Sequence, residues 1–187
     1  MRGTLDPPGP AATTRPRPEE SGKGGPLAVI GIGNILLSDD GLGVAIVERL
    51  TEKAAGAADT QPPWLPPDTD IIDGGTGGMA LLPQIAGTRA LLLVDAVDFG
   101  LEPGTIRVLV GDQIGDAYQT HLTAHQVGAS DLIASARLSG VLPAAVALVG
   151  MQPATLETGV GLSVAVTAAL PEAAAVARQW CWRLDGG

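Results

Sequence analysis

Along the chain, short continuous apolar runs alternate with longer stretches in which apolar residues recur every three or four positions. Leu27 to Ile32 is an apolar run, which predicts a buried strand. From Gly41 to Ala55, Val44, Ile46, Val47 and Leu50 are set among Glu48, Arg49, Glu52 and Lys53, the pattern of a helix with a charged outer face. Ala57 to Pro67 is polar and Pro-rich and predicts a loop. Thr69 to Ile72 predicts a short second strand, Met79 to Ala86 a second helix weakened by Pro83, and Ala90 to Val94 a third strand. Thr105 to Val110 predicts a fourth strand close behind the third. A helix over Ala129 to Leu138 and a fifth strand over Ala145 to Val149 follow. Leu162 to Leu184 is a long Ala-rich helix in which Pro171 marks a kink or a restart. Strands that are continuously apolar and alternate with helices predict an α/β fold, a three-layer α/β/α sandwich.

Residues 1–26 break this rhythm. They hold Pro7, Pro8, Pro10, Pro16, Pro18 and Pro26 among small and charged residues. So little apolar surface does not offset the entropy of ordering, so a flexible tail is expected there and a single domain over 27–187. The tail has no apolar stretch that would serve as a signal-peptide core, and no run approaches the roughly 20 apolar residues that span a bilayer. A cytoplasmic setting is the expectation.

Composition narrows the chemistry. The 187 residues carry 11 Lys and Arg against 20 Asp and Glu, a formal net charge of −9. Nucleic-acid binders need a basic face to displace counterions, and an anionic membrane repels such a chain, so neither partner is expected. One Cys excludes an internal disulfide framework, and two His exclude a three-His metal site.

Candidate chemistry collects where strands end. Gly31 and Gly33 follow the first strand, but position 36 is Leu where a dinucleotide fingerprint wants its third Gly. Asp73, after the second strand, lies too far along to be the ribose-binding acid. Ser38-Asp39-Asp40-Gly41 precedes the first helix. One acid there is explained as a helix cap; a second adjacent acid invites another role. Asp95 follows Leu91-Leu92-Leu93-Val94, at the carboxyl end of a buried strand, where open α/β sheets bind ligands. Were strands one and three neighbours, Asp40 and Asp95 would line one crevice. His121 and His125 are four apart, but Leu122 stands where a zinc peptidase of the HExxH type needs Glu. His125 lies in a polar turn before a helix; with two carboxylates it makes a three-donor set for a divalent metal such as nickel or zinc. Cys181, between Trp180 and Trp182, reads as a small packed residue. Gly74-Gly75-Thr76-Gly77-Gly78 is a loop against which an extended peptide could lie.

At these residues the chain resembles the nickel-iron hydrogenase maturation proteases. The matching stretches are Gly31-Ile32-Gly33-Asn34-Ile35-Leu36-Leu37-Ser38-Asp39-Asp40-Gly41-Leu42-Gly43, Asp73-Gly74-Gly75-Thr76-Gly77-Gly78-Met79, and Val94-Asp95-Ala96-Val97-Asp98 with Pro103-Gly104-Thr105. Ala124-His125-Gln126-Val127-Gly128 and Gly150-Met151-Gln152-Pro153 with Leu156 and Glu157 complete them. The resemblance covers about residues 27 to 180. It implies a five-stranded mixed sheet with the fourth strand antiparallel, which the short link between strands three and four suits. It also implies an endopeptidase that removes a C-terminal extension from the hydrogenase large-subunit precursor after nickel insertion. The family's metal-contacting residues fall on Asp40, Asp95 and His125. Two hypotheses stay open for hydrolysis: a metal-polarised carbonyl or metal-activated water, or Asp39 or Asp98 assisting as a base with the metal only positioning the bond. Nickel is then supplied by the substrate, and no organic cofactor is expected. Many members carry Glu where this chain has Asp40. A rival is a nickel-dependent chaperone or checkpoint that uses the same donors without cutting.

Overall fold

The computed structural model describes residues 24–57, 63–115 and 127–186; His121 and His125 lie outside them. Five strands form one sheet: β1 (Leu27–Ile32), β2 (Thr69–Gly75), β3 (Ala90–Ala96), β4 (Ile106–Val110) and β5 (Ala145–Met151), in the order β2-β1-β3-β5-β4. β1 pairs parallel with β2 and β3, and β3 pairs parallel with β5. β4 runs antiparallel to β5, from Ile106 opposite Met151 to Val110 opposite Ala147. The nine residues between β3 and β4 are too few for a right-handed crossover, which takes a dozen or more, so the chain turns back and fills an edge in reverse.

Helices cover both faces. α1 (Leu42–Gly56) and α4 (Val164–Asp185) pack on the face of Leu27, Val29, Leu92, Val94, Ala147 and Val149. α2 (Leu82–Ile85) and α3 (Val127–Leu138) cover Ala28, Ile30, Leu91, Leu93, Val146 and Leu148. Alternate residues of one apolar strand thus serve two cores, which explains why β1 and β3 have no polar alternation. α1 inserts Leu42, Ile46 and Leu50, four apart, as its inward stripe. α4 buries Val166, Ala173, Ala174, Ala177 and Cys181, a small-residue face that lets the helix lie close to the sheet.

Several expected boundaries move. The second helix is one 3-10 turn (Gly78–Leu81) followed by a single α-helical turn, with Pro83 in its first positions, where a missing N–H costs nothing. The last helix runs unbroken through Pro171, with no restart there; burial of its Ala face outweighs the lost backbone hydrogen bond. It starts at Val164, capped by Ser163, whose hydroxyl accepts from the Val166 amide. β2 reaches Gly75, β3 includes Asp95, and β5 reaches Met151. Among the described residues no helix is long and apolar enough to cross a membrane.

Candidate active site

β1 and β3 are neighbours, with Gly31 opposite Val94, so the loops leaving their carboxyl ends face one crevice. Two glycines bring α1 to it. A Cβ on Gly31 would collide with the Gly43 carbonyl, and one on Gly43 would collide with the carbonyls of Ile32 and Val94. The helix start therefore rests directly on the ends of β1 and β3. The loop between β1 and α1 is drawn equally tight: Gly33 has φ +143°, and a Cβ there would strike the Asp40 carbonyl.

The turn Ser38–Gly41 carries the paired acids against the end of β3. Asp40 is buried, and its Oδ2 accepts from the Asn34 amide at 2.7 Å. Asp95 is also buried, inside β3 and opposite Gly150 of β5. Asp39 is wholly buried and faces elsewhere. Its Oδ2 accepts from the amides of Ala154 (2.8 Å) and Thr155 (3.2 Å), and its Oδ1 accepts from the amide of Ser163 (2.6 Å). The two adjacent loops are joined further by Ser38 N–H to the Gly159 carbonyl and Gly159 N–H to the Leu36 carbonyl, each 2.9 Å.

Asp98 lies in the loop after β3. Its Oδ1 accepts from the Gly100 amide at 2.9 Å and from Gln152 Nε2 at 3.1 Å. Gln152, directly after β5, is buried. Its Oε1 accepts from the amides of Phe99 (2.7 Å) and Leu101 (3.2 Å), while Nε2 also donates to the Pro153 carbonyl. One side-chain amide thus clamps the loop that carries Asp98. Sequence reasoning quoted Gln152 only as part of a motif; a single polar residue after an apolar run gives no sign of such a role.

The sequence-predicted residues therefore separate. Asp40, Asp95 and Asp98 come to the carboxyl ends of β1 and β3, Asp39 turns into the contacts of the 154–163 loop, and His125 lies outside the described residues. Gly78, in the glycine loop after β2, lies against Gly128 near the start of α3. Among the described residues no group of three His, Cys, Asp or Glu is arranged to hold a metal ion. Cys181 is buried, and burial pushes its thiol up to about 12, so it stays protonated and is no nucleophile.

Fold and site define an α/β protein that gathers buried carboxylates at the carboxyl ends of neighbouring parallel strands. The family model for hydrogenase maturation proteases matches residues 44–180. The chain is 35% identical over 148 residues to the hydrogenase 2 maturation protease of Escherichia coli K12, covering 79% of this chain and 85% of that protein. It is 41% identical over 133 residues to a Rhodobacter capsulatus hydrogenase expression/formation protein, HupD, covering 70% of this chain but 59% of that relative. Among solved structures, the Escherichia coli hydrogenase maturating endopeptidase HybD superposes with a TM-score of 0.68 at 33% identity, over 81% of this chain and 88% of that one. The chain belongs to the hydrogenase maturation protease family, whose named members are endopeptidases and so hydrolases of peptide bonds.

Proposed function

We propose that this protein removes the C-terminal extension from the precursor of a nickel-iron hydrogenase large subunit, and that it recognises nickel carried by that precursor through Asp40, Asp95 and His125. The observation that carries the proposal is the pair of buried carboxylates at the ends of neighbouring strands β1 and β3, in a chain of this family. Oxygen donors and one imidazole suit a divalent first-row ion, and three donors leave room for those the substrate supplies. His125 precedes the start of α3 by two residues, and Gly128 of α3 meets the glycine loop at the same end of the sheet, which supports it as third donor.

In this reading the crevice positions the scissile bond beside the ion, and positioning itself lowers the barrier. Nickel held by these residues would supply Lewis-acid polarisation of a carbonyl or water. Asp98, steadied by Gln152, is the candidate assisting base. A cytoplasmic setting belongs to the same proposal, and cell fractionation tests it.

The decisive experiment incubates the protein with nickel-loaded large-subunit precursor and reads product mass. Loss of a C-terminal peptide, with nickel-free precursor left whole, is the expected result. A stable complex with the precursor at full length would instead identify a non-cleaving checkpoint.

A further inference from the structure

Asp39 accepts three backbone hydrogen bonds through its carboxylate. It has no exposed surface, and both its oxygens are aimed at backbone amides: Ala154 and Thr155 on Oδ2, Ser163 on Oδ1. All three amides lie in the segment that joins β5 to α4, more than a hundred residues along the chain. The Asp39 amide in turn donates to the Thr155 carbonyl at 3.2 Å, so the residue is held at both its backbone and its side chain. The preceding Ser38 sits at φ +51°, a left-handed conformation that disfavours a side chain, and donates its hydroxyl to the Glu157 carbonyl at 3.0 Å. Strain at Ser38 persists where the surroundings over-determine it, and Asp39 is part of what does so.

A carboxylate saturated in this way is badly placed to take a proton from a substrate. It is well placed to fix its neighbour. We infer that Asp39 is not a base but a positioning residue: it locks the Ser38–Gly41 turn to the 154–163 segment and thereby holds the Asp40 carboxylate at the crevice. The inference rests on the reading of Asp40 as a nickel-contacting group, but its structural half is independent of that reading. The Asn34 amide, which donates to Asp40 Oδ2 at 2.7 Å, reports directly on where Asp40 stands.

Asp39→Asn is the test. Its amide nitrogen must face either Ser163 N–H or the Ala154 and Thr155 pair, donor against donor, so the turn loosens with little change in volume. Hydrogen exchange at the Asn34 amide should become faster. With nickel-loaded precursor, KM should rise by about 10-fold or more while kcat changes less, the range seen when partners behind a metal ligand are lost. In an Asp40→Ala background the same substitution should add nothing to the loss of precursor binding. Should Asp39→Asn not fold, Asp39→Ser fits the same buried site and carries the same readouts. Unchanged Asn34 exchange overturns the inference, and so does loss of kcat at constant KM, the mark of a group acting in chemistry. Faster Asn34 exchange in Asp39→Asn, combined with wild-type processing by Asp40→Ala, would leave the positional inference standing and sink the nickel reading instead.

Discussion

The two ends of the parallel strands handle polar groups beside a buried sheet in opposite ways. At the amino ends a single cation closes the structure on itself. Arg89, just before β3, donates to the carbonyls of Gly25, Pro67 and Asp68, and pairs with Asp185 at the end of α4 at 2.6 Å. One guanidinium thus ties the entries of β1, β2 and β3 to the last helix. At the carboxyl ends, the buried polar residues Asp39, Asp40, Asp95 and Gln152 cluster with half-buried Asp98. Backbone amides hold Asp39, and a backbone amide together with the Gln152 amide holds Asp98. An end that carries its own cation is a structural clasp. An end that gathers carboxylates is where the proposed function puts its site.

That contrast predicts how each end breaks. If Asp40 and Asp95 hold nickel as proposed, Asp40→Ala and Asp95→Ala should reduce processing of nickel-loaded precursor by on the order of 100-fold or more, since they would remove donors and not merely their supports; circular dichroism should be unchanged. A wild-type rate in either variant removes that residue from the site. At the opposite end, Arg89→Ala should cost about 2 kcal/mol of unfolding free energy in urea titration, leaving Asp185 and several carbonyls without their donor, while the folded protein cuts at the normal rate. Loss of catalysis without loss of stability there would erase the distinction between the ends.

Gln152→Ala should act between these extremes. It strands the Phe99 and Leu101 amides, at about 1–2 kcal/mol in stability, and should speed hydrogen exchange at both; protection retained at both amides would show that the clamp is not needed. The smallest effect is expected at Cys181. Its thiol should resist a disulfide reagent at pH 8 until the protein is unfolded, and rapid labelling of native protein would contradict its burial. The folded thiol holds its proton longer than the unfolded one, whose ordinary value is 9.0. Its contribution to stability is therefore complete below about pH 9 and falls away as pH rises towards about 12.

Much of the fold was legible because burial on two faces imposes an unmistakable pattern. β1 and β3 are unbroken apolar runs, and α1 shows its inward stripe at helical spacing. Boundaries were less legible at Pro83 and Pro171. Local preference alone argues for helix breaks there, while Pro83 falls in a first turn and Pro171 is carried by the packing around Ala173 and Ala177. At the site, Asp40 and Asp95 were readable as strand-end and helix-start acids. The division of labour between Asp39 and Asp40 was not, since identical adjacent residues differ only in what the rest of the chain brings to each. Gln152 was invisible as a clamp for the same reason: its partners Asp98, Phe99 and Leu101 lie some fifty residues earlier.

By itself, then, the sequence determined the alternation of strands and helices, the acidic character of the chain, and which carboxylates end strands. These follow from hydrophobic periodicity and local backbone preference, which act over a few residues. Only the tertiary structure decided that β3 lies beside β1, so that Asp40 and Asp95 come to the same end of the sheet, and that the 154–163 segment folds back on the Ser38–Gly41 turn to occupy Asp39. Those outcomes depend on strand order and on hydrogen bonds across more than a hundred residues, where no local pattern records which amide will meet which carboxylate.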